Sequence, residues 1–379
     1  MTEPAPEKSG PGSGVYERLG VWYFRRLVQD VPAGADAAAD DATLAHHVRR
    51  ITAIGMVVAF VIGALSAGGS AYVEVRYAQA SAWVRYGWLV SVTAGLTAVE
   101  LAVLFWISLR TVYHLSAVTG HRTLEEKDPA VREMLPALLA RAALEIPDPV
   151  EKLLGIDPLA RVSRSRQLVY SLLYKIKILG SNVLAKLLVG RFFGKSLLRV
   201  SVAYLAVPIT GLWNALTLLK VAREARLRLF GNVLVAHLID AVLTDARLAR
   251  LSARARLGCL QAVGNAVVMA QRHHPNMALL LRSLHGRLHV DTTERLDDWE
   301  AFLMTLGAVN PAERELLRGL LVVAAAFDGE ISRLERELLG QAFGVRAKHD
   351  VTELHALVAE LRQGRLHAAR ARCDTLLGG

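Results

Sequence analysis

The sequence predicts an all-α protein whose N-terminal part is a two-helix transmembrane hairpin. Three observations lead there. Two runs almost free of charge are each long enough to cross a bilayer as helix. Helix-capping signals recur at helix-length intervals through the C-terminal third. Alternation of apolar and polar residues with a period of two, which would indicate half-buried strands, does not appear.

Composition points the same way. The 379 residues are 53% hydrophobic and 21% charged, whereas a soluble domain has roughly 45–50% apolar and about 25% charged residues. The two cysteines, Cys259 and Cys373, are too few for a disulfide framework or a cysteine-based zinc site. Residues 1–45 read as a disordered leader with a short amphipathic helix. Its first 14 positions are rich in proline and glycine, and no basic start with an apolar run marks a secretory signal. Between Val15 and Leu27, Leu19, Trp22 and Tyr23 share a side bordered by arginines. That pattern suits a membrane interface or docking on the protein's own body.

Residues 46–115 form the expected hairpin. Ile51 to Val73 is free of charge, and Tyr86 to Leu109 holds one charged residue, Glu100; about 20 apolar residues suffice to span. The connection between the two runs, about a dozen residues, is long enough for a turn. Gly55, Ala59, Gly63 and Ala67 recur at every fourth position of the first run, and Gly87, Ser91 and Gly95 do so in the second. Small side chains let helices approach closely in lipid, so the two stripes are expected to face each other, and they also suit homo-oligomerisation through the hairpin. Arg49, Arg50, Arg110 and Arg122 flank the hairpin outside its loop, which places both termini in the cytoplasm. Glu100 inside an apolar span costs a few kcal/mol. It is read either as a proton or ion site or as a residue protonated or paired with a neighbouring chain.

After a linker (116–157), residues 158–240 hold the net charge. Arg161, Arg164, Arg166, Lys175, Lys177, Lys186, Arg191, Lys195, Arg199, Lys220, Arg223, Arg226 and Arg228 face a single acid, Glu224, up to position 239. Apolar and aromatic residues separate these cations, as in helices that lie on an anionic lipid surface. That apolar surface argues against nucleic acid as the partner. The charge-free run Val200–Leu219 is read as a helix buried in the cytoplasmic body or dipping into the inner leaflet, kinked at Pro208. A full crossing is the alternative.

The run Val207-Pro208-Ile209-Thr210-Gly211-Leu212-Trp213-Asn214-Ala215, followed by Val221-Ala222-Arg223-Glu224-Ala225-Arg226, resembles the end of the EcsC family. The resemblance covers about thirty residues and implies a bacterial membrane-associated helical protein without an assigned reaction. Residues 241–290 read as a helical connector and 291–379 as a small helical bundle. Capping boxes are expected at Asp291/Glu294, Asn310/Glu313 and Ser332/Glu335, and further helices from Thr352 to near Gly364 and from Leu366 to Leu377. The turn Phe327-Asp328-Gly329-Glu330-Ile331-Ser332, with Ala324-Ala325-Ala326 before it and Glu335 after it, resembles the inter-helix signature of TerB-like domains. That resemblance implies an all-helical domain of tellurite-resistance and stress systems, in which acids at this turn are suspected of holding a metal. Asp328, Glu330 and Glu335 supply hard oxygen ligands suited to a divalent ion, though the spacing is not that of an EF-hand. The other reading gives them to the turn and the Ser332 cap. His285 and His289 stand four apart, without the glutamate of a zinc protease.

No nucleophile or phosphate-loop motif is present. The expectation is a non-enzymatic, membrane-anchored scaffold or stress-associated adaptor of a bacterial inner membrane, with a basic lipid-facing region, a C-terminal bundle for a protein partner or an ion, and no cofactor unless the acidic turn takes a metal. The alternative is an oligomeric transporter or channel with Glu100 in the pathway and residues 200–219 as a third span.

Overall fold

The computed structural model describes residues 40–119, 154–156, 199–271, 274–290, 294–344 and 347–378. Those residues form helices and turns, with no strand among them. Three long helices come first: α1 (Asp41–Arg76), α2 (Ala82–Val118) and α3 (Arg199–His237). Eight shorter ones make the body: α4 (Asp245–Ala249), α5 (Ala253–Ala270), α6 (Pro275–Leu288), α7 (Trp299–Ala308), α8 (Pro311–Ala326), α9 (Arg333–Phe343), α10 (Ala347–Gln363) and α11 (Leu366–Leu377).

Both apolar runs lie within helices longer than the runs themselves. The turn joining them is only residues 77–81, shorter than the dozen expected. Residues 200–219 belong to a helix that continues to His237 with Pro208 inside it. Its last turn widens into a π-helical segment, Leu238–Val242. There the Ile239 carbonyl accepts a hydrogen bond from Arg287 Nη1 at 2.8 Å, while Arg287 Nη2 meets Asp240 at 3.1 Å. A π-turn widens the helix and upsets its regular bonding, and the guanidinium of α6 supplies a donor there.

The body is built around α5 and α8. Helix α5 is buried on nearly every side from Gly258 to Met269, as a helix apolar all round must be. Gly258 of α5 lies against Leu317 of α8, where an added Cβ would come within 2.6 Å of Leu317 Cδ1. A Cβ at Gly319 of α8 would collide with the Leu376 carbonyl of α11. Polar side chains of α5 are bonded inside: Thr305 donates to Gln261 at 3.0 Å, and Asn265 Nδ2 donates to the Gln261 carbonyl at 2.9 Å.

The capping boxes at Asn310/Glu313 and Ser332/Glu335 are both formed. Glu313 also accepts from the Ser252 amide at 2.7 Å, so one carboxylate serves the starts of α8 and α5. The box expected at Asp291/Glu294 is a correction. Asp291 lies outside the described residues, Glu294 is not helical, and the helix starts at Trp299 with Asp298 as its cap. Helix α10 begins at Ala347, a turn before the expected Thr352, and α11 has the expected bounds. The core runs without a break from the lower half of α3 through α11 and takes in Leu44 and Val48 of α1 and Leu109, Val112 and Leu115 of α2. Asp41, the first residue of α1, accepts hydrogen bonds from the His367 and Ala368 amides at 2.9 Å each and so caps α11. The two ends of the described chain are joined there.

Candidate membrane interface

Helices α1, α2 and α3 pack as a three-helix unit whose register can be read from its glycines. A Cβ at Gly55 would meet Leu218 Cδ2 at 2.6 Å and Thr111 Oγ1 at 2.8 Å, and one at Gly68 would meet Val207 at 3.8 Å. A Cβ at Gly69 would meet Leu96 at 2.7 Å. Helix α1 therefore runs antiparallel to both neighbours, and α2 and α3 run in the same direction. Gly63 lies on Asn214 and the Thr210 carbonyl, and Gly211 lies on Phe60. The stripe Gly55, Ala59, Gly63, Ala67 is buried along its length, since small side chains let helices approach closely.

Its partner is not the one expected. The first stripe faces α3, with Thr111 of α2 at its lower end, and the second stripe faces nothing: a Cβ at Gly87 or Gly95 would have no neighbour within 4 Å. A four-residue period shows that a face is small without showing which helix covers it.

Glu100 is 1% exposed, and its Oε1 accepts a hydrogen bond of 2.7 Å from Asn214 Nδ2. That oxygen's partner is an amide of α3, while Oε2 is buried without a hydrogen-bond partner among the described residues. Asn214 lies one turn beyond Gly211 on α3. Chain separation hides this pair from sequence reading, since the two residues stand 114 positions apart.

α1 and α2 are long and apolar enough to cross a membrane. Apart from Met304, the large hydrophobic side chains exposed among the described residues all belong to α1, α2 and residues 204–216 of α3. Ile54, Val57 and Leu65, Val90 and Leu101, and Ile209, Leu212 and Leu216 together form an apolar girdle around the three helices. Tyr72, Trp83, Tyr86 and Trp88 are exposed near the α1–α2 turn, and Tyr77 stacks on Trp88 at 5.7 Å. Aromatic side chains gather at membrane–water boundaries in this way. At the other end of the girdle, Arg49, Arg50, Arg110, Lys220 and Arg223 are exposed, and Arg110 lies over Trp106 at 5.0 Å. These cations form a collar between girdle and body.

Of the residues expected at a lipid surface, Arg161, Arg164, Arg166, Lys175, Lys177, Lys186, Arg191 and Lys195 lie outside the described residues. The backbone of Arg199 starts α3, and Lys220 belongs to the collar. Sequence reading singled out the cations of residues 158–239 and treated Arg49, Arg50 and Arg110 as topology signals alone. Their common level with Lys220 depends on the pairing of α1 with α3.

In the acidic turn, Asp328 is buried and its Oδ1 accepts from the Glu330 amide at 2.9 Å; Glu330 is exposed; and Glu335 is buried in its capping box. Gly329 turns with φ +71° and presses on Leu227 of α3. Among the described residues no group of three His, Cys, Asp or Glu side chains could hold a metal ion. His289 is the left-handed C-cap of α6. A cleft of about 650 Å³ between α8, α10 and α11 is lined by Arg318, Glu353, Glu360 and Arg372 among others. Arg372 is bonded to both Glu360 and Glu353, which hold its guanidinium charged; α10 and α11 are pinned together by this network. The chain matches no family model, no curated protein and no solved structure.

Proposed function

We propose that the protein is a non-enzymatic, membrane-anchored helical scaffold. The three-helix unit sits in the bilayer with α3 as a third membrane helix, and the body stands on the cytoplasmic side and presents its surface to a protein partner. The observation that carries this reading is that, among the described residues, the exposed large hydrophobic side chains other than Met304 all lie on α1, α2 and the first half of α3. Exposed apolar side chains gathered on one part of a molecule mark an interaction site for membrane or protein. Residues 51–73 and 200–219 each extend about 30 Å as helix, the thickness of a bilayer core. Basic side chains at the body end of the girdle fit a cytoplasmic body by the positive-inside rule.

The transporter reading needs Glu100 on a path through the membrane. Its burial and its bond to Asn214 inside the three-helix unit favour a packing role instead. Alkaline carbonate washing of membranes holding the full-length chain tests the anchor: the protein stays in the pellet and leaves only with detergent. Recovery in the carbonate supernatant would sink the proposal.

A further inference from the structure

At the cationic collar, Arg49, Arg223 and the adjoining Arg226 have no acid bonded to them among the described residues. Antiparallel helices keep a constant register, and the approach of Gly55 to Leu218 brings Arg49 and Arg50 level with Glu224 and Arg223. Arg226 follows on α3, beyond its apolar stretch. Its stem lies 3.7 Å from the position of a Cβ on Gly364, and its Nε is buried without a hydrogen-bond partner. Glu224, the acid among them, is bonded to Arg228 at 2.9 Å. Burial, together with Arg223 and Arg49, pushes the Arg226 pKa down to about 10. Like charges gathered in this way repel one another until an anion enters.

The surface beside the cluster indicates which anion. In the same register Val57 comes level with Leu216, and Phe60 with Trp213, and all four are exposed. An apolar seam therefore runs into the membrane from a cationic head. We propose that Arg49, Arg223 and Arg226 form a binding site for the phosphate of an anionic phospholipid headgroup, with the acyl chains along the α1–α3 seam. Guanidinium forks match phosphate oxygens in pairs. The site rests on the membrane reading above.

The test uses the full-length chain in nanodiscs of phosphatidylcholine with a minor fraction of phosphatidylglycerol, followed by native mass spectrometry of the retained lipid. The wild type retains phosphatidylglycerol preferentially, and inorganic phosphate does not displace it. The double variant Arg49→Gln/Arg223→Gln, at two exposed positions, retains about tenfold less. Arg226→Gln does the same where its thermal midpoint is preserved, and Arg110→Gln on α2 behaves as wild type. Equal retention of the two lipids by the wild type, or unchanged retention by the double variant, overturns the site. Displacement by inorganic phosphate overturns the headgroup assignment. A chain that washes off with carbonate fails at the earlier step, and the two failures are thereby distinguished.

Discussion

Asn214 donates its side-chain amide to Glu100 at 2.7 Å, across the contact between α3 and α2. A buried polar group costs free energy unless it finds a partner, and this bond supplies one for the Asn214 amide and for one of the two Glu100 oxygens. Asn214→Leu leaves the carboxyl without its donor and destabilises the three-helix unit by about 1–3 kcal/mol. Glu100→Gln keeps an oxygen acceptor for the same amide and costs less than about 1 kcal/mol. Thermal midpoints in mild detergent check this ordering; a larger loss for Glu100→Gln than for Asn214→Leu would show that the bond is not what matters.

The two small-residue stripes respond differently. Gly63→Val drives a branched side chain into Asn214 and the Thr210 carbonyl, which costs about 1–3 kcal/mol by overpacking. Gly87→Ala and Gly95→Ala meet open space and leave the midpoint unchanged or slightly raised. Equal sensitivity of both stripes would mean that α2 uses its glycines against another copy of the chain.

This contrast shows what was legible in the sequence. The helical character of these segments, the Asn310 and Ser332 caps and the bounds of α11 follow from local chemistry, because caps and periodicity act within a few residues. The apolar run at 200–219 was visible too, but its attachment to α1 was not. That depends on Gly55 and Gly63 meeting Leu218 and Asn214, more than 150 positions away. The cationic collar was hidden for the same reason, since Arg49 and Arg223 become neighbours only through that register.

Topology gives a third expectation. The contact of Gly68 with Val207, continued along two antiparallel helices, brings position 199 level with Arg76 beside the α1–α2 turn. Single cysteines at Ala78 and at position 199 are therefore labelled by an impermeant maleimide from one side of the membrane, and a cysteine at Lys220 from the other. Labelling of 199 and 220 from the same side would rule out α3 as a crossing helix.

The native cysteines do not interfere with such mapping. Cys259 and Cys373 are both buried, and burial first, then the charge of Glu313, pushes the Cys259 thiol up to about 12 from an ordinary 9.0. Ellman's reagent therefore finds no reactive thiol between pH 7 and 9 in the folded protein and two after denaturation. The sign for stability follows. A thiol held neutral in the fold contributes fully below pH 9, and the contribution is lost as the pH rises from about 9 towards 12, where only the unfolded chain ionises freely. Alkaline melting curves read this loss, and Cys259→Ser reduces its slope.

The carboxylate of Asp41 that receives the His367 and Ala368 amides has a consequence for biosynthesis. Asp41 emerges from the ribosome 326 residues before its partner exists. A nascent chain halted before position 366 has no amides to offer that carboxylate. The join between α1 and α11 is thus among the last that the emerging polypeptide can make.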